Sequence, residues 1–377
     1  MSDLQGAFKS IEQELNAKFL ERHEPIRGLL VGLLARQHCL FLGPPGTAKS
    51  ALTEDLCSRV GGTYFRWLLS RTTAPEELFG PISLKALEQD QYRRNVSGKA
   101  PEANIIFYDE VWKGGSTILN CNLTLMEERL FFNDGTPIQV PLDMLVGASN
   151  ELPESEELGA LWDRFALRYV VNYLKAPASF NALIKGANGN GQHGRTTITR
   201  EQLQQAQGEV NQVNVNKVAH RLLTLRQELT KINVTTSDRR WVKTLPLIKA
   251  YAWLEGRSEA TDDDLAILAH TLWTEPNQIA QVRQIIMALA NPYDSIAQDK
   301  LDEAIELYQK AINAEEEKAT AFGGEANAKL KKIAVDLDKL AKEAKAKGRS
   351  DERIKDVLHQ VVAWNKEVIA KCLGINL

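Results

Sequence analysis

FLGPPGTAKSALTEDL, from Phe41 to Leu56, decides how the rest of the chain is read. Gly43 and Gly46 precede Lys49 and Ser50, close to the phosphate-loop pattern G-x-x-x-x-G-K-[ST]. The agreement fails at one place, because the residue before the lysine is Ala48 where the pattern has glycine. Such a loop works because glycine lets the backbone approach an anion, so that main-chain N–H groups and the positive end of the next helix surround it. CLFL before Gly43 reads as a strand, and Ala51, Leu52 and Leu56 give the following segment a helical period. With Ala48 in the first helical turn, its φ is negative and the extra methyl costs little. On this reading Gly43, Pro44, Pro45, Gly46, Thr47, Ala48, Lys49, Ser50 and Ala51 bind nucleotide. Lys49 reaches the β- and γ-phosphates of ATP, and Ser50 places its hydroxyl on Mg²⁺. The competing reading is a structural loop between a strand and a helix.

Working outward, TYFRW (Thr63–Trp67), NIIFYD (Asn104–Asp109), MLVGAS (Met144–Ser149) and LRYVV (Leu167–Val171) are further strand-like runs separated by helical segments. Near-continuous apolar strands alternating with helices predict an α/β fold with a parallel sheet covered on both faces. Asp134-Gly135 within RLFFNDGTPIQV predicts a β-hairpin. NIIFYDE ends in two carboxylates. Asp109 at the strand tip is placed to hold Mg²⁺, and Glu110 to polarise the attacking water; the same pair is also the pattern of a helix N-cap. Asn150, after the next strand, is a candidate to orient that water or simply a turn residue. In LWDRFALR, Arg164 and Arg168 are read as one helical turn apart. One of them is a candidate arginine finger aimed at a neighbour's γ-phosphate; both could instead pair with surface carboxylates.

The N-terminal period Leu4, Phe8, Ile11, Leu15, Phe19 predicts an amphipathic helix, and a second helix follows from about Pro25 to Arg36. GANGNGQHGR (Gly186–Arg195) reads as a loop and a domain boundary. Beyond it helices are expected over Val215–Ile232, Asp238–Glu255, Thr261–Leu272 and Pro276–Ala290, and then three charged amphipathic helices punctuated at Gly323-Gly324 and Gly348-Arg349-Ser350. The expected domains are residues 1–185, a nucleotide-binding core with N-terminal helices; 186–291, a linker and helical lid; and 292–377, a helical bundle. The formal charge of −3, from 46 basic and 49 acidic residues, argues against a dedicated nucleic-acid or membrane-surface protein. Cys39, Cys57, Cys121 and Cys372 are scattered, which suits small thiols in a reducing compartment rather than a disulfide or zinc framework. No secretory signal is visible and no apolar run is long enough to span a bilayer, so a cytoplasmic protein is expected.

Taken in order, GPPGTAKS, TTAPEELFGP (Thr72–Pro81), IIFYDEVWK, LMEERLFFNDG, LVGASNELP and LWDRFALR resemble the MoxR family of AAA+ ATPases, in the branch typified by the regulatory ATPase variant A, RavA. The likeness spans roughly Phe8 to Leu289. It implies a P-loop AAA+ αβα core with an all-α lid, and in that branch alanine before the loop lysine is familiar. VTTSDRRWVKTL (Val234–Leu245) looks like the family's sensor-2 segment, with Arg239 the better match and Arg240 the alternative. The resemblance further implies ATP and Mg²⁺ as cofactors, a homo-oligomeric ring, hexameric in the family, a partner bearing a von Willebrand factor A domain, and remodelling or activation of a client protein. The sequence departs from the pattern at Val111-Trp112-Lys113, where many members carry an Asn-Arg pair, and in its tail, which lacks the α/β-split appendage of RavA. The inserts Ser83–Val96 and Arg129–Val140 are candidates to touch a client. Two rivals stand beside this reading: an ATP-gated assembly module with negligible turnover, and a nucleic-acid motor, for which the chain offers no arginine-rich recognition helix.

Overall fold

The computed structural model describes residues 2–186, 195–312, 316–347 and 349–372. The chain packs as two compact units. The first runs to Ala219 and adds Asn233–Thr261 and His270–Ile279; the second comprises His220–Ile232, Asp262–Ala269 and the chain from Ala280 onward.

The first unit is built on a five-stranded parallel sheet. Its strands are β1 (His38–Leu42), β2 (Tyr64–Leu68), β3 (Ile105–Asp109), β6 (Met144–Ser149) and β7 (Phe165–Val170), in the spatial order β2-β3-β6-β1-β7. A separate hairpin joins β4 (Leu130–Asn133) to β5 (Thr136–Gln139). Every residue of β1 and β6 is buried, as expected for strands at the centre of a parallel sheet with both faces covered. β2 lies at one edge and exposes Arg66 and Leu68. The hairpin forms where Asp134 (φ 57°) and Gly135 (φ 71°) supply two left-handed residues in a row, which matches the twist of the flanking strands.

The first helix, Asp3–Lys18, starts at a capping box: the Ser2 N–H donates to Gln5 Oε1 (2.8 Å), and the Gln5 N–H to Ser2 Oγ (3.3 Å). It buries the expected apolar stripe of Leu4, Phe8, Ile11 and Leu15. A helix not expected from the sequence, Arg200–Asn211, begins at a second capping box of Thr199 and Gln202 and buries Leu203, Ala206 and Val210. It is tied to the sheet by Arg200, which pairs with the buried Asp143.

The second unit carries a three-helix bundle formed by Pro292–Ile312, Glu316–Ala346 and Glu352–Cys372. Leu330, Ile333, Leu337, Ala341 and Ala344 recur at helical spacing and pack with Leu301, Ile354, Val357, Val361 and Val368 in one core. Three expectations fail in the helical part of the chain. Gly323-Gly324 does not break its helix, because the flanking stripe from Ala326 onward supplies packing that outweighs glycine's weak intrinsic preference against helix. The segment expected as an α-helix at Thr261–Leu272 is a 3-10 helix over Asp262–His270. Pro276–Gln278 is a 3-10 turn, and the α-helix proper is Ile279–Ala290. Of the loop read at Gly186–Arg195, residues 187–194 lie outside the described residues, as does Gly348. Among the described residues no helix is long and apolar enough to cross a membrane, and all four cysteines are free thiols.

Candidate nucleotide-binding site

At the C-terminal edge of the sheet β1 ends at Leu42 and the chain turns away at once. Gly43 has φ 144°, and a Cβ there would lie 2.1 Å from the Val171 carbonyl oxygen, so the position requires glycine on two counts. Its N–H donates to the Ser149 carbonyl (3.0 Å), and the Val171 N–H donates to Leu42 O (2.7 Å). The loop is thereby rooted to the tips of both strands that flank β1. Thr47 is buried and closes the loop by donating its hydroxyl to Pro44 O (3.0 Å).

Ala48 corrects the expectation made for it. Its φ and ψ are 66° and 21°, left-handed, and it is the N-cap of the helix Lys49–Cys57 rather than part of the first turn. The pattern's glycine therefore has a conformational reason, and alanine holds that conformation with its methyl group exposed. The helix has no side-chain cap, which leaves its leading N–H groups, at Lys49, Ser50 and Ala51, suited to an anion. Lys49 Nζ folds over its own loop and donates to Gly43 O (2.6 Å) and Pro44 O (2.9 Å). Burial lowers the pKa of its ammonium, and the charges of Asp109 and Glu110 oppose that shift. The lysine and both carboxylates thus share one electrostatic neighbourhood.

At the end of β3, Asp109 Oδ1 accepts the Glu110 N–H (3.2 Å). Glu110 is also left-handed, with φ 53°, and a 3-10 turn, Val111–Lys113, follows it. Glu110 Oε2 is buried; Lys113 Nζ lies 3.3 Å away without the geometry of a hydrogen bond. Asn150 is exposed at the bend after β6. Ser149 and Glu151 hold it from both sides, since the Glu151 N–H donates to Ser149 Oγ (3.0 Å).

The two arginines of LWDRFALR do not lie one helical turn apart. The helix Glu156–Arg164 stops at Arg164, and Arg168 points inward from β7. Arg168 is 1% exposed, donates to Trp273 O (2.7 Å) and Trp162 O (3.0 Å), and lies 4.2 Å from the centre of the Trp162 ring. A guanidinium held this way belongs to its own subunit, so Arg168 is withdrawn as a finger. Arg164 remains, half-buried, donating to Ala160 O (2.7 Å). Near it, Arg239 is 43% exposed beside Asp163 (3.6 Å) and Glu127 (3.8 Å). Arg240 is 3% exposed, bonded to Asp163 (2.9 Å) and Trp273 O (3.3 Å), and so is committed to the core.

Sequence reasoning missed Arg22. It is buried beneath the loop and donates to Thr47 O (3.4 Å), Glu21 O (2.9 Å) and Asn172 O (2.7 Å). No spacing rule singles out an arginine that serves only backbone carbonyls. Beside it a cavity of about 370 Å³ is lined by His23, Pro25, Val171, Asn172 and Tyr173. Among the described residues no cluster of three His, Cys, Asp or Glu side chains could hold a metal. The Ser50 hydroxyl and Asp109 carboxylate are hard oxygen donors, and they fit a Mg²⁺ that takes its other ligands from phosphate and water.

A glycine loop after the first strand of a parallel sheet, an acidic pair after the third and a helical lid define the α/β fold of AAA+ ATPases. The family described as the MoxR domain in the MoxR-vWA-beta-propeller ternary systems matches residues 6–211, and an AAA lid domain matches residues 217–286. The chain belongs to the MoxR family of AAA+ ATPases. It is similar to two uncharacterized proteins of Methanocaldococcus jannaschii, 35% identical over 98% of both chains and 34% identical over 96% of this chain and 98% of the other. It is also similar to the chaperone MoxR1 of Mycobacterium tuberculosis, 28% identical over 39% of this chain and 40% of that one. A solved structure of a candidate ATPase from Cytophaga hutchinsonii shares the fold, with a TM-score of 0.60 over 76% of this chain and 94% of that one at 17% identity.

Proposed function

We propose that this chain hydrolyses ATP to ADP and phosphate in a homo-oligomeric, six-membered ring and uses the cycle to remodel or activate a protein client in the cytoplasm. The observation that carries the reading is the loop after β1, rooted through Gly43 to Ser149, which ends in a helix start without a side-chain cap under the folded-over Lys49 ammonium, with the Asp109-Glu110 pair at the end of β3 of the same sheet. The leading N–H groups of the helix Lys49–Cys57 and the Lys49 ammonium bind the triphosphate, and the cavity beside Tyr173 takes the nucleoside. Ser50 and Asp109 hold Mg²⁺, which when bound neutralises developing phosphate charge. Glu110 accepts a proton from the attacking water, and Asn150 orients that water. Arg164 reaches the γ-phosphate of the adjoining subunit, and Arg239 reads the nucleotide from the lid side. Because the finger comes from a neighbour, turnover depends on assembly.

The matched family is named for systems that combine MoxR with a von Willebrand factor A protein and a β-propeller, and partners of those two kinds are the first to test. Ala48 before the loop lysine, and Trp112 and Lys113, which depart from the wider family but resemble the RavA branch, support placement near it. The alternative, an ATP-gated assembly module with negligible turnover, draws on the closeness of Lys113 to Glu110, which would hold the base away from water. Steady-state phosphate release tests both. Wild type should turn over ATP with a rate per subunit that rises with protein concentration, and Glu110→Gln should bind ATP yet release phosphate at least about a hundredfold more slowly. Equal turnover by the two removes Glu110 from its role. Binding with no turnover by wild type selects the assembly module.

A further inference from the structure

We propose that Trp112 is a positioning residue for hydrolysis, its indole N–H holding the loop of Asn150 in register with the peptide that carries Glu110. The inference rests on the hydrolytic reading above and adds a residue to it. The parallel ladder between β3 and β6 runs only to Tyr108 and Gly147. Past that pair the two strand ends, which carry Glu110 and Asn150, have no paired residues between them. On its other side the β6 tip is secured, since Leu42 pairs with Ser149 and the Gly43 N–H donates to Ser149 O (3.0 Å). The connection on the β3 side is Trp112, whose Nε1–H donates to Glu151 O (2.9 Å).

The indole is well built for this. It sits in the 3-10 turn that begins one residue after Glu110, closed by the Lys113 N–H on Glu110 O (2.9 Å), so its position and that of Glu110 are set by the same few torsions. It is 7% exposed and wedged against Trp162 and Phe165, each with ring centres 6.0 Å away. Trp162 is backed in turn by Trp273 and by the Arg168 guanidinium. A side chain this confined cannot follow a wandering loop; the loop must come to it. Glu151 adjoins Asn150, so fixing its carbonyl fixes the direction from which Asn150 meets a water polarised by Glu110. Displacements on the order of 1 Å in such an arrangement cost up to about a hundredfold in rate.

Trp112→Phe keeps the aromatic wedge and deletes the donor. Steady-state phosphate release should show kcat reduced about tenfold or more, while the KM for ATP and the dissociation constant of a mant-labelled ADP stay within about twofold of wild type. If the effect runs through Asn150, then Trp112→Phe made in an Asn150→Ala background should lower kcat by less than about twofold further, the non-additivity expected of two groups acting together. Amide exchange over residues 149–152 should speed up in Trp112→Phe, with exchange in β3 unchanged. Trp162→Phe, which trims the same cluster without touching the hydrogen bond, should stay within about twofold of wild type in kcat. Unchanged kcat in Trp112→Phe, full additivity with Asn150→Ala, or an equal loss in Trp162→Phe overturns the proposal and makes Trp112 a packing residue. Wild type that binds mant-ADP but releases no phosphate overturns hydrolysis itself, and this role with it.

Discussion

Ala48→Gly should stabilise the nucleotide-binding unit, against the usual direction for a substitution to glycine. Ala48 stands at φ 66° and ψ 21° with its methyl exposed, so no burial of that methyl compensates the backbone. A left-handed L-residue costs roughly 1–2 kcal/mol. Glycine relieves that, but it frees the unfolded chain, which costs about 0.4–1 kcal/mol. The difference is a net gain of about 0.5–1 kcal/mol, or a rise in Tm of about 1–4 °C for a unit of this size. Ala48→Val supplies the opposite arm, because a β-branched side chain tolerates φ > 0 poorly and should lose at least about 1 kcal/mol relative to alanine. Urea titration followed by tryptophan fluorescence reports mainly on this unit, since every tryptophan but Trp364 lies in it. The result that refutes the reasoning is a neutral or destabilising glycine together with a tolerated valine. That pair of outcomes would mean that the position relaxes to negative φ in solution, as the sequence pattern first suggested.

Other substitutions probe the frame of the site. Gly43→Ala brings a Cβ within 2.1 Å of Val171 O at a φ of 144° and should weaken mant-ADP binding more than about tenfold, read by fluorescence titration. Arg22→Met strands the carbonyls of Thr47, Glu21 and Asn172 and should cost about 2–3 kcal/mol in the same urea assay, with Arg22→Lys no better than partial, because one ammonium cannot reproduce the spread of a guanidinium. In the second unit, burial and then the neighbouring charge of Asp263 raise Asp294 to about 6. Its folded value lies above its unfolded one, so the native state binds the extra proton, and stability falls as pH climbs through the interval between about 4 and about 6. Asp294→Asn should therefore stabilise this unit by about 1 kcal/mol at neutral pH, after allowance for solvent screening, and leave it nearly unchanged near pH 4; native-state amide exchange in the helices Pro292–Ile312 and Glu352–Cys372 at the two pH values checks both.

What the sequence revealed of this molecule was its periodic and its local chemistry. The strand runs before Gly43, at Ile105–Asp109 and at Met144–Ser149 were legible because a strand buried on both faces must be almost wholly apolar, whatever its neighbours. The hairpin was legible because two consecutive left-handed residues demand Asp-Gly or a close equivalent. Arg168 was misplaced because Arg164 and Arg168 have a helical spacing on paper, whereas the chain switches from helix to strand at Phe165 so that Arg168 can lie between Trp162 and Trp273. Those rings are distant in sequence, and no local rule could have joined them. Arg22 and Trp112 were illegible for the same reason, since each acts on a carbonyl brought to it by the fold. Arg239 and Arg240 are adjacent, and only the resemblance to the sensor-2 segment favoured Arg239. Packing separates them, committing Arg240 to Asp163 in the core and leaving Arg239 more exposed.

Two non-glycine motif positions in the left-handed region share one device. In each, a left-handed residue sets off a helix: Ala48 before Lys49–Cys57, at the end of the loop that follows β1, and Glu110 before the turn Val111–Lys113, directly after β3. The positive φ turns the chain sharply into the helix, and the leading N–H groups of Lys49–Cys57 carry no side-chain cap. At Ala48 only the backbone shape is used, and glycine would serve as well or better. On the proposed mechanism the Glu110 side chain takes the proton from water, so the glycine that would relieve the strain is closed to it. On that reading the strain at position 110 is imposed by chemistry, as expected where a functional residue and a demanding backbone coincide. Glu110→Gly carries the consequence: relief of the left-handed strain should offset much of the cost of losing the side chain, leaving the fold close to wild type in stability while phosphate release is lost. A variant both inactive and badly destabilised would show instead that the carboxylate, and not the turn, holds the two strand tips together.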